Sequence, residues 1–283
     1  MSIGNAGYRR IKSNVIVILM GLTVLACLVP LASLLYTLIS NGVGALNFDF
    51  FTKVEGAIGE KSGVAHAIAG SLLHMLMSTI FAVPVGIAIG MFLARPTHAR
   101  LAKTTRLLLD VLAGVPAIII GVFIYTIVVR PFTGFSLLAG GMALALIMLP
   151  IFVRGTEQAI RAIPSSVDEA GLALGLPGYR VLLRIVLPAA VPAVMTGLFL
   201  ALARVGGEAA PLLLTSFGKG TWTTSPMDKT ASLPVLLFNY AKSAVEEQNK
   251  QAWGAAMVLV IIILGFRMLT RLYNHWQYGQ GAA

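Results

Sequence analysis

The sequence predicts an all-α integral membrane protein with six transmembrane helices and both termini in the cytoplasm. Three observations predict this fold class: the composition, six long apolar stretches, and the uneven distribution of basic residues between those stretches. Of the 283 residues, 57% are hydrophobic and only 11% are charged, whereas a soluble domain carries about 25% charged residues. Too few charged side chains remain to cover a soluble surface, which excludes a disordered chain and an ordinary soluble enzyme.

The six apolar stretches are each treated as one helix that crosses the bilayer, which takes about 20 residues. The first continues far beyond the roughly 7–15 apolar residues of a signal peptide, so we expect it to be a retained span. The fourth is short and contains a Gly-Gly pair at 140–141. In chain order the predicted spans are 15–39, 66–94, 107–129, 137–153, 189–215 and 252–270.

Basic residues predict the orientation of these spans. Of the 21 Lys and Arg, 13 lie on one side of the predicted membrane, 7 lie on the other, and Arg204 lies inside the fifth span. Loops rich in Lys and Arg stay in the cytoplasm, so both termini are expected there. We therefore predict cytoplasmic tails at 1–14 and 273–283 around a transmembrane domain at 15–272. The net charge of +10 follows mainly from this topology and needs no nucleic-acid partner.

The sequence lacks the motifs that ATP-binding proteins and most membrane enzymes need. It contains no glycine-rich loop ending in Gly-Lys-Ser or Gly-Lys-Thr, so P-loop binding of ATP is not expected. The four histidines are not spaced as metal ligands, and Cys27 is the only cysteine. Two acids fall in spans, Glu208 and Asp110, and we expect Asp110 to cap the third span or to contact Lys103 or Arg106. We predict a chain that binds no cofactor and catalyses no reaction.

The long cytoplasmic loop at 154–188 is predicted to form two short helices. Ser166 and Glu169 have the spacing of a capping box at a helix start, and the run Gly-Leu-Pro-Gly at 175–178 ends that helix. A short amphipathic piece follows, before Leu-Pro at 187–188 opens the fifth span. From the residues alone, the two helices either pack at the membrane interface or dock on a partner.

The spacing within this loop is more specific. It reads Glu-Ala-Gly at 169–171, then glycine at 175, then Ile-x-Leu-Pro at 185–188, which resembles the EAA loop of binding-protein-dependent ABC importers. Gly171 stands where that family has a second alanine. The resemblance implies a MetI-like permease fold, in which a coupling helix docks on a separate subunit that holds ATP and Mg. The residues that it assigns to coupling are Asp168, Glu169, Ala170, Gly171, Leu172, Gly175 and Leu176.

The fifth predicted span carries two opposite charges, Arg204 and Glu208. Four residues apart, they lie on one helix face and can pair. A central arginine costs about 2.5–3.5 kcal/mol on insertion scales, so such residues commonly line a water-filled path. A guanidinium also suits a tetrahedral oxyanion, because its donors fork onto two oxygens. These residues therefore predict an anion path, and the alternative is a structural ion pair between spans.

Three stretches resemble the A-type permease subunit of the phosphate-specific (Pst) ABC importers. The stretch at 203–213 reads A-R-V-G-G-E-A-A-P-L-L, with Val205 and Ala209 in place of the family's alanine and threonine. The stretch at 113–121 reads A-G-V-P-A-I-I-I-G, and Leu-Pro-Val at 233–235 is followed by Phe-Asn at 238–239. The resemblance implies a non-catalytic permease subunit of an ATP-driven phosphate importer in the bacterial plasma (inner) membrane.

The same resemblance implies the partners of the chain. They are a homologous PstC-type permease, two PstB-type ATP-binding subunits, and an extracytoplasmic PstS-type phosphate-binding protein that docks near the outer loop at 216–251. The alternatives are a sulfate or molybdate importer of the same class, because Arg204 suits any small oxyanion, and an ion-coupled secondary carrier. A membrane-embedded enzyme is disfavoured by the lack of a convergent acid or histidine cluster.

Overall fold

The computed structural model describes residues 5–56, 62–95 and 97–279. Over these residues the protein is helical, with an isolated bridge between Phe217 and Thr230 as its only extended pairing. Its helices, in chain order, are α1 (Asn5–Gly42), α2 (Phe48–Thr52), α3 (Ala65–Ala94), α4 (Ala99–Gly114), α5 (Ala117–Ile124), α6 (Leu137–Arg161), α7 (Ser165–Ala173), α8 (Gly178–Val181), α9 (Leu187–Val205), α10 (Ala210–Thr215), α11 (Leu233–Tyr240) and α12 (Glu246–Gly279).

The helices confirm the predicted all-α membrane fold. Five helical segments are long and apolar enough to cross a membrane, and a pair of helices bent by 100° makes a sixth if it counts as one span. The first, second, fourth and sixth predicted spans lie in α1, α3, α6 and α12, and each of these helices is longer than predicted. The 137–153 prediction ends too early, because α6 continues to Arg161.

The third predicted span, 107–129, is wrong as a single helix. Residues 107–114 belong to α4, and the chain then bends by 100° before α5 and a π-helical turn at Tyr125–Thr133. The bend lies at Val115 and Pro116. Proline has no N–H and disfavours helical backbone in the residue before it, and Val115 is accordingly extended, with ψ of 128°. This Val-Pro step is the feature of the sequence that indicates the bend.

The fifth predicted span, 189–215, is also broken. The helix α9 ends at Val205, two glycines form a turn, and α10 begins again at Ala210. Proline near the first position of a helix is favourable because its missing N–H would be unpaired there anyway, and Pro211 occupies that place in α10. A methyl group on Gly206 would lie 2.5 Å from Met75 Cε and 3.2 Å from Leu202 O, so this turn packs closely against Met75 of α3.

Helix α6 is the centre of the bundle and packs mainly between α3 and α9. Small residues allow the helices to approach closely. A methyl group on Gly90 of α3 would lie 2.6 Å from Thr156 Cγ2, and one on Gly155 would lie 3.1 Å from the backbone of Gly197 in α9. Gly86 of α3 likewise faces Phe152. Gly86 and Gly90 therefore form an internal contact between α3 and α6.

The periphery of the bundle is open to the membrane or to other subunits. Helix α12 packs on α9 and α11, and the main helix contact of α1 is with α12. Most apolar side chains along the α1 span are exposed, and Leu38 near its end is a buried exception. Exposed large apolar side chains are expected where lipid or another subunit covers a membrane protein, since no water needs to be excluded there.

Contacts between loops define two ends of the bundle. The EAA end comprises the C-terminus of α3, α4, and residues 154–188, which contact one another. The far end comprises residues 43–56 and 62–64, the start of α6, and residues 216–245. There Ser136 and Leu137 donate to the backbone oxygens of Thr215 and Asp228, at 3.0 and 2.9 Å, so the loop after α10 is fixed to the start of α6.

The turn at the far end is organised by Asp228. Its carboxylate accepts hydrogen bonds from the Thr224 hydroxyl, at 2.7 Å, and from the N–H groups of Thr224 and Ser225, at 3.1 and 3.0 Å. Hydrogen bonds to the ionised form favour it. The Thr224 hydroxyl, followed by these backbone donors, therefore holds the pKa of the Asp228 carboxyl below its ordinary value.

Candidate functional site

Arg204 and Glu208 form an ion pair at the break in the fifth span. The geometry differs from the one predicted, because Arg204 lies in the last turn of α9 whereas Glu208 lies in the turn beyond the helix. The N–H of Glu208 donates to Val205 O, at 3.1 Å, which fixes that turn. The Arg204 side chain is 56% exposed and the Glu208 side chain 13%. The carboxylate is thus anchored in protein while the guanidinium stays accessible.

The surroundings of this pair are chemically unusual for a membrane span. An arginine at the C-terminus of a helix is favoured by the helix dipole and by the unpaired carbonyl groups there. Irregular backbone and charge at membrane depth are tolerated where they are buried in protein or line a water-filled cavity. A broken span carrying an accessible guanidinium is therefore chemically suited to attract a small anion, and Glu208 is the carboxylate that pairs with this guanidinium.

The three stretches that resemble the A-type permeases meet in the structure. A methyl group on Gly121 would lie 2.8 Å from the Cα atom of Pro211, so the first stretch packs directly against the second. Leu212 and Val235 belong to the same hydrophobic cluster, which brings in the third. Ala209 is the N-cap residue of α10 and makes no capping hydrogen bond. The threonine of the family would place a hydroxyl at this cap position.

The coupling helix predicted around Glu169 is α7, but its start differs from the prediction. The helix begins at Ser165 after Pro164, and no side chain caps it. The predicted capping box of Ser166 and Glu169 is therefore wrong. Ser166 already lies inside the first turn, two positions past where a capping serine belongs, and proline at 164 sets the start instead.

A Schellman motif ends α7 and explains the fixed spacing of the loop. Gly175 has φ of +76°, a left-handed conformation that only glycine adopts without strain. Its N–H donates to Leu172 O, at 2.9 Å, and the N–H of Leu176 donates to Gly171 O, at 3.3 Å. These two bonds are the hydrogen-bond pattern of this helix end. Gly171 and Gly175 therefore belong to one closed turn.

Gly171 also sets how closely α7 approaches α8. It is buried, and a methyl group there would lie 2.7 Å from Val181 Cγ2. The family's second alanine would not fit this separation. The replacement of alanine by glycine is therefore matched by the close approach of Val181. Leu176 is half-buried beside it, whereas Glu169, Ala170 and Leu172 are exposed.

Asp168 connects α7 to the second span. Arg95, at the C-terminal end of α3, donates from Nε to Asp168 Oδ2, at 2.9 Å, and from Nη2 to Ile163 O, at 3.0 Å. Both side chains of the ion pair are less than one-third exposed. The sequence alone does not reveal this pair, because Arg95 and Asp168 lie 73 positions apart.

Glu157 forms a second cluster that the sequence did not reveal. This carboxylate is buried near the end of α6 and accepts hydrogen bonds from Arg106 of α4, at 2.9 and 3.1 Å. Arg161 pairs with it at 2.9 Å, and both arginines also donate to Leu93 O at the end of α3. Glu157 was not counted among the acids in spans because the fourth span was predicted to end at 153.

Asp110 has a different partner from those predicted. It forms an ion pair with Arg154 of α6, not with Lys103 or Arg106. It lies near the end of α4 rather than at a helix start, which also excludes the predicted cap. Asp110 therefore fixes α4 along α6, because the 100° bend after Gly114 turns α4 against that helix.

One continuous helical segment joins the coupling loop to the ion pair. It runs from Gly178 to Val205, through α8, a π-helical turn at Leu182–Val186, and α9. Val181, which contacts Gly171, lies near its beginning, and Arg204 lies at its end. A bundle of five to six spans, with an EAA-type loop and an accessible charge in a broken span, defines the permease class of binding-protein-dependent importers.

Comparison with known proteins agrees with this class. Residues 86–277 match the family described as "Binding-protein-dependent transport system inner membrane component". An alginate ABC transporter chain covers 95% of this chain and 96% of its own length, with a TM-score of 0.66 and 14% identity. A MetNI methionine ABC transporter chain covers 75% and 94%, with a TM-score of 0.55 and 20% identity. At such identities these structures show the fold, and they confirm it as MetI-like.

Sequence relatives are more specific. The phosphate transport system permease protein PstA of Yersinia pestis is 37% identical over 267 residues, covering 94% of this chain and 90% of that protein. The PstA of Haemophilus influenzae is 35% identical over 267 residues, covering 94% and 95%. The probable PstA of Methanocaldococcus jannaschii is 30% identical over 257 residues, covering 90% and 91%. The chain belongs to the PstA family of ABC transporter permease subunits, and it is a multi-pass inner-membrane protein.

Proposed function

We propose that this chain is the permease subunit of an ATP-driven importer of inorganic phosphate, and that it forms part of the translocation path. The observation that supports a translocation path here is the accessible Arg204 guanidinium, which is paired with Glu208 at the break in the fifth span. Phosphate, rather than sulfate or molybdate, is supported by the relatives, which are named as phosphate transport system permeases. Arg204 and Glu208 are the substrate-path residues of this proposal.

The orientation of the chain in the membrane follows from its basic residues. We place the EAA end in the cytoplasm, together with the tails at 1–14 and 273–283, because 13 of the 21 Lys and Arg lie on that side. The far end then faces outward, with the loop at 216–251. The domain at 15–272 crosses the membrane six times when the bent pair of α4 and α5 counts as one crossing.

The partners are those of an importer of this class. A PstC-type permease completes the path, two PstB-type subunits bind ATP and Mg, and a PstS-type protein delivers phosphate to the far end. Our chain binds no cofactor and hydrolyses no ATP in this scheme. The apolar side chains of α1, exposed along the span, contact lipid or the second permease.

Coupling to ATP runs through α7. Glu169, Ala170 and Leu172 are exposed, and Leu174 beside them is 80% exposed, so this surface is open for docking on an ATP-binding subunit. Asp168, Gly171, Gly175 and Leu176 hold the shape of the loop through the Arg95 ion pair, the Val181 contact and the Schellman motif. A movement of α7 is passed to Arg204 through the helical segment that begins at Gly178.

The path is tested by uptake of radiolabelled phosphate into proteoliposomes that contain all the subunits. Arg204→Ala should abolish ATP-dependent uptake, and Arg204→Lys should reduce it strongly, because lysine lacks the forked donors. Arg100→Ala, at an exposed position of α4, is the matched control and should transport normally. Normal uptake by both Arg204 variants would overturn the path. Uptake of sulfate or molybdate in place of phosphate by the wild type would overturn the proposed substrate. Loss of phosphate uptake on adding an uncoupler at constant ATP would indicate a secondary carrier.

A further inference from the structure

A small polar pocket lies at the far end of the bundle, away from the Arg204–Glu208 pair. Its volume is about 190 Å³, and it lies between the segment before α3, the start of α3, the loop after α10, and α11. Its polar side chains form two groups. The buried ones are His66, Ser232 and Tyr240, and the exposed ones at the rim are Glu55, Lys219 and Asn239.

The buried group contains polar atoms without partners. His66 Nδ1 and Ser232 Oγ have no hydrogen-bond partner among the described residues, and these side chains belong to residues only 3% and 1% exposed. Buried polar groups in proteins are nearly always paired, with protein, water or ligand. Ser232 is the N-cap residue of α11, yet its hydroxyl makes no capping bond. Both groups are therefore available to something that occupies the pocket.

The rim is held in place by its own contacts. The Glu55 carboxylate lies against the loop after α10, because a methyl group on Gly220 would lie 2.7 Å from Glu55 Oε2. The Tyr240 hydroxyl is close to the same carboxylate, and burial together with Glu55 raises the pKa of Tyr240. Tyr240 thus stays a protonated donor at any physiological pH. A fixed carboxylate and a cationic side chain, Lys219, face the same small space.

The hydrogen-bonding inventory of the pocket selects one class of ligand. Hydroxyl and imidazole groups both donate and accept, lysine only donates, and an ionised carboxylate only accepts. A complementary ligand is small, carries acceptors for Lys219 and the hydroxyls, and also carries a donor for Glu55. Inorganic phosphate keeps at least one proton at neutral pH and has both. Sulfate and molybdate are fully ionised there, so they offer Glu55 no donor and are repelled by its charge.

We propose that the far-end pocket is a phosphate-binding site, separate from Arg204 and Glu208, that holds phosphate at the outer mouth of the path. Lys219 and Ser232 donate to phosphate oxygens, and Glu55 accepts the P–OH proton. The proposal rests on the proposed function for its orientation and its substrate. It adds a selectivity step before the arginine, which by itself suits any small oxyanion.

The test is equilibrium binding of radiolabelled phosphate to the assembled membrane complex in nanodiscs, without the binding protein and with sulfate as competitor. Wild type should bind phosphate with weak competition by sulfate. Glu55→Gln should reduce the preference for phosphate over sulfate by about tenfold, and Ser232→Ala should weaken phosphate binding by about fivefold, the order of one hydrogen bond each. Matched controls are Glu247→Gln and Ser40→Ala, both exposed near the far end but outside the pocket. Arg204→Ala should lose transport and keep this binding.

The outcomes separate this proposal from the proposed function. A wild-type complex that transports phosphate with its binding protein, but binds none without it, overturns the pocket and leaves the function standing. Unchanged selectivity in Glu55→Gln also overturns the pocket, and because Glu55 is exposed this variant should assemble even if Ser232→Ala does not. A wild-type complex that transports sulfate instead of phosphate overturns the proposed function.

Discussion

At the EAA end, four arginines pair with three carboxylates, and within the described part of the chain Thr156 Oγ1 is the one buried side-chain atom there without a partner. At the far end, two side chains of the polar pocket, His66 and Ser232, keep such atoms. The paired charges connect α3, α4, α6 and α7 into one unit. The far end is instead held by backbone turns, such as those around Asp228, and keeps a small polar pocket open. Ion pairs therefore hold the shape of the EAA end, whereas the far end has buried polar groups that an incoming ligand can bind.

The largest effect is expected from breaking the Glu157 cluster. Glu157→Ala would leave Arg106 and Arg161 facing each other without a carboxylate, and removing one partner of a buried pair costs about 3 kcal/mol. Thermal unfolding of the purified complex should show this loss, together with weakened assembly. Glu247→Ala at the far end, where the carboxylate is exposed, should leave the unfolding temperature unchanged. Equal stability of the two variants would contradict the comparison.

Exchanging the charges of Arg95 and Asp168 tests whether this ion pair positions α7. Arg95→Asp and Asp168→Arg should each weaken association with the ATP-binding subunit, because each places two like charges together. The double variant should recover part of the loss, with a coupling energy of about 1–2 kcal/mol. The measurement is a double-mutant cycle on that association, followed by uptake. Additive losses without recovery would show that Arg95 does not position Asp168.

Replacing Gly175 tests the turn that ends α7. Gly175→Ala forces a side chain into left-handed backbone and should cost about 1 kcal/mol, with a matching loss of association with the ATP-binding subunit. Gly178→Ala is the control, because a methyl group there meets open space and the backbone is ordinary. Titration of the ATP-binding subunit onto both variants measures the difference. The same affinity for both would mean that the Schellman motif is not needed.

The smallest effect is a pH dependence confined to the far end. The folded pKa of Asp228 lies below that of the unfolded chain, so its hydrogen bonds stabilise the turn fully above the unfolded pKa of about 3.9. That contribution is lost as the pH falls through the folded pKa. The protection of residues 224–228 against hydrogen exchange, measured relative to the intrinsic exchange rate at each pH, should therefore fall in acid. Asp228→Asn, which keeps an acceptor but does not titrate, should flatten the profile, and an unchanged profile would assign the acid sensitivity elsewhere.

The fold class followed from composition and apolar stretches because helix burial in a membrane depends on residue type over about 20 positions. The breaks in the third and fifth spans could not be predicted from hydrophobicity averaged over such a stretch. The bend at Val115–Pro116 and the turn at Gly206 each had a local signal, a proline or a glycine pair, inside a window that was apolar as a whole. Local backbone effects of proline and glycine therefore break both helices, although the surrounding stretch is apolar on average.

The ion pairs of the EAA end could not be predicted from the sequence, for a different reason. Arg95 and Asp168 are 73 positions apart, and Arg106 and Glu157 are 51 apart. Which charges meet depends on which helices are neighbours, and that is a property of the packed bundle. By contrast, Arg204 and Glu208 were found at once, because their separation is four residues and their charges stood alone in an apolar run.

The continuous helical segment from Gly178 to Val205 fixes how far a motion at one end reaches the other. From Val181 to Arg204 its length is about 35 Å, at 1.5 Å per residue. A tilt of only 10° about the Val181 end would carry the guanidinium sideways by about 6 Å over that length, about twice the length of a hydrogen bond. In the proposed coupling scheme, small angular changes at the EAA end would thereby be enlarged into a displacement of the guanidinium that is longer than a hydrogen bond.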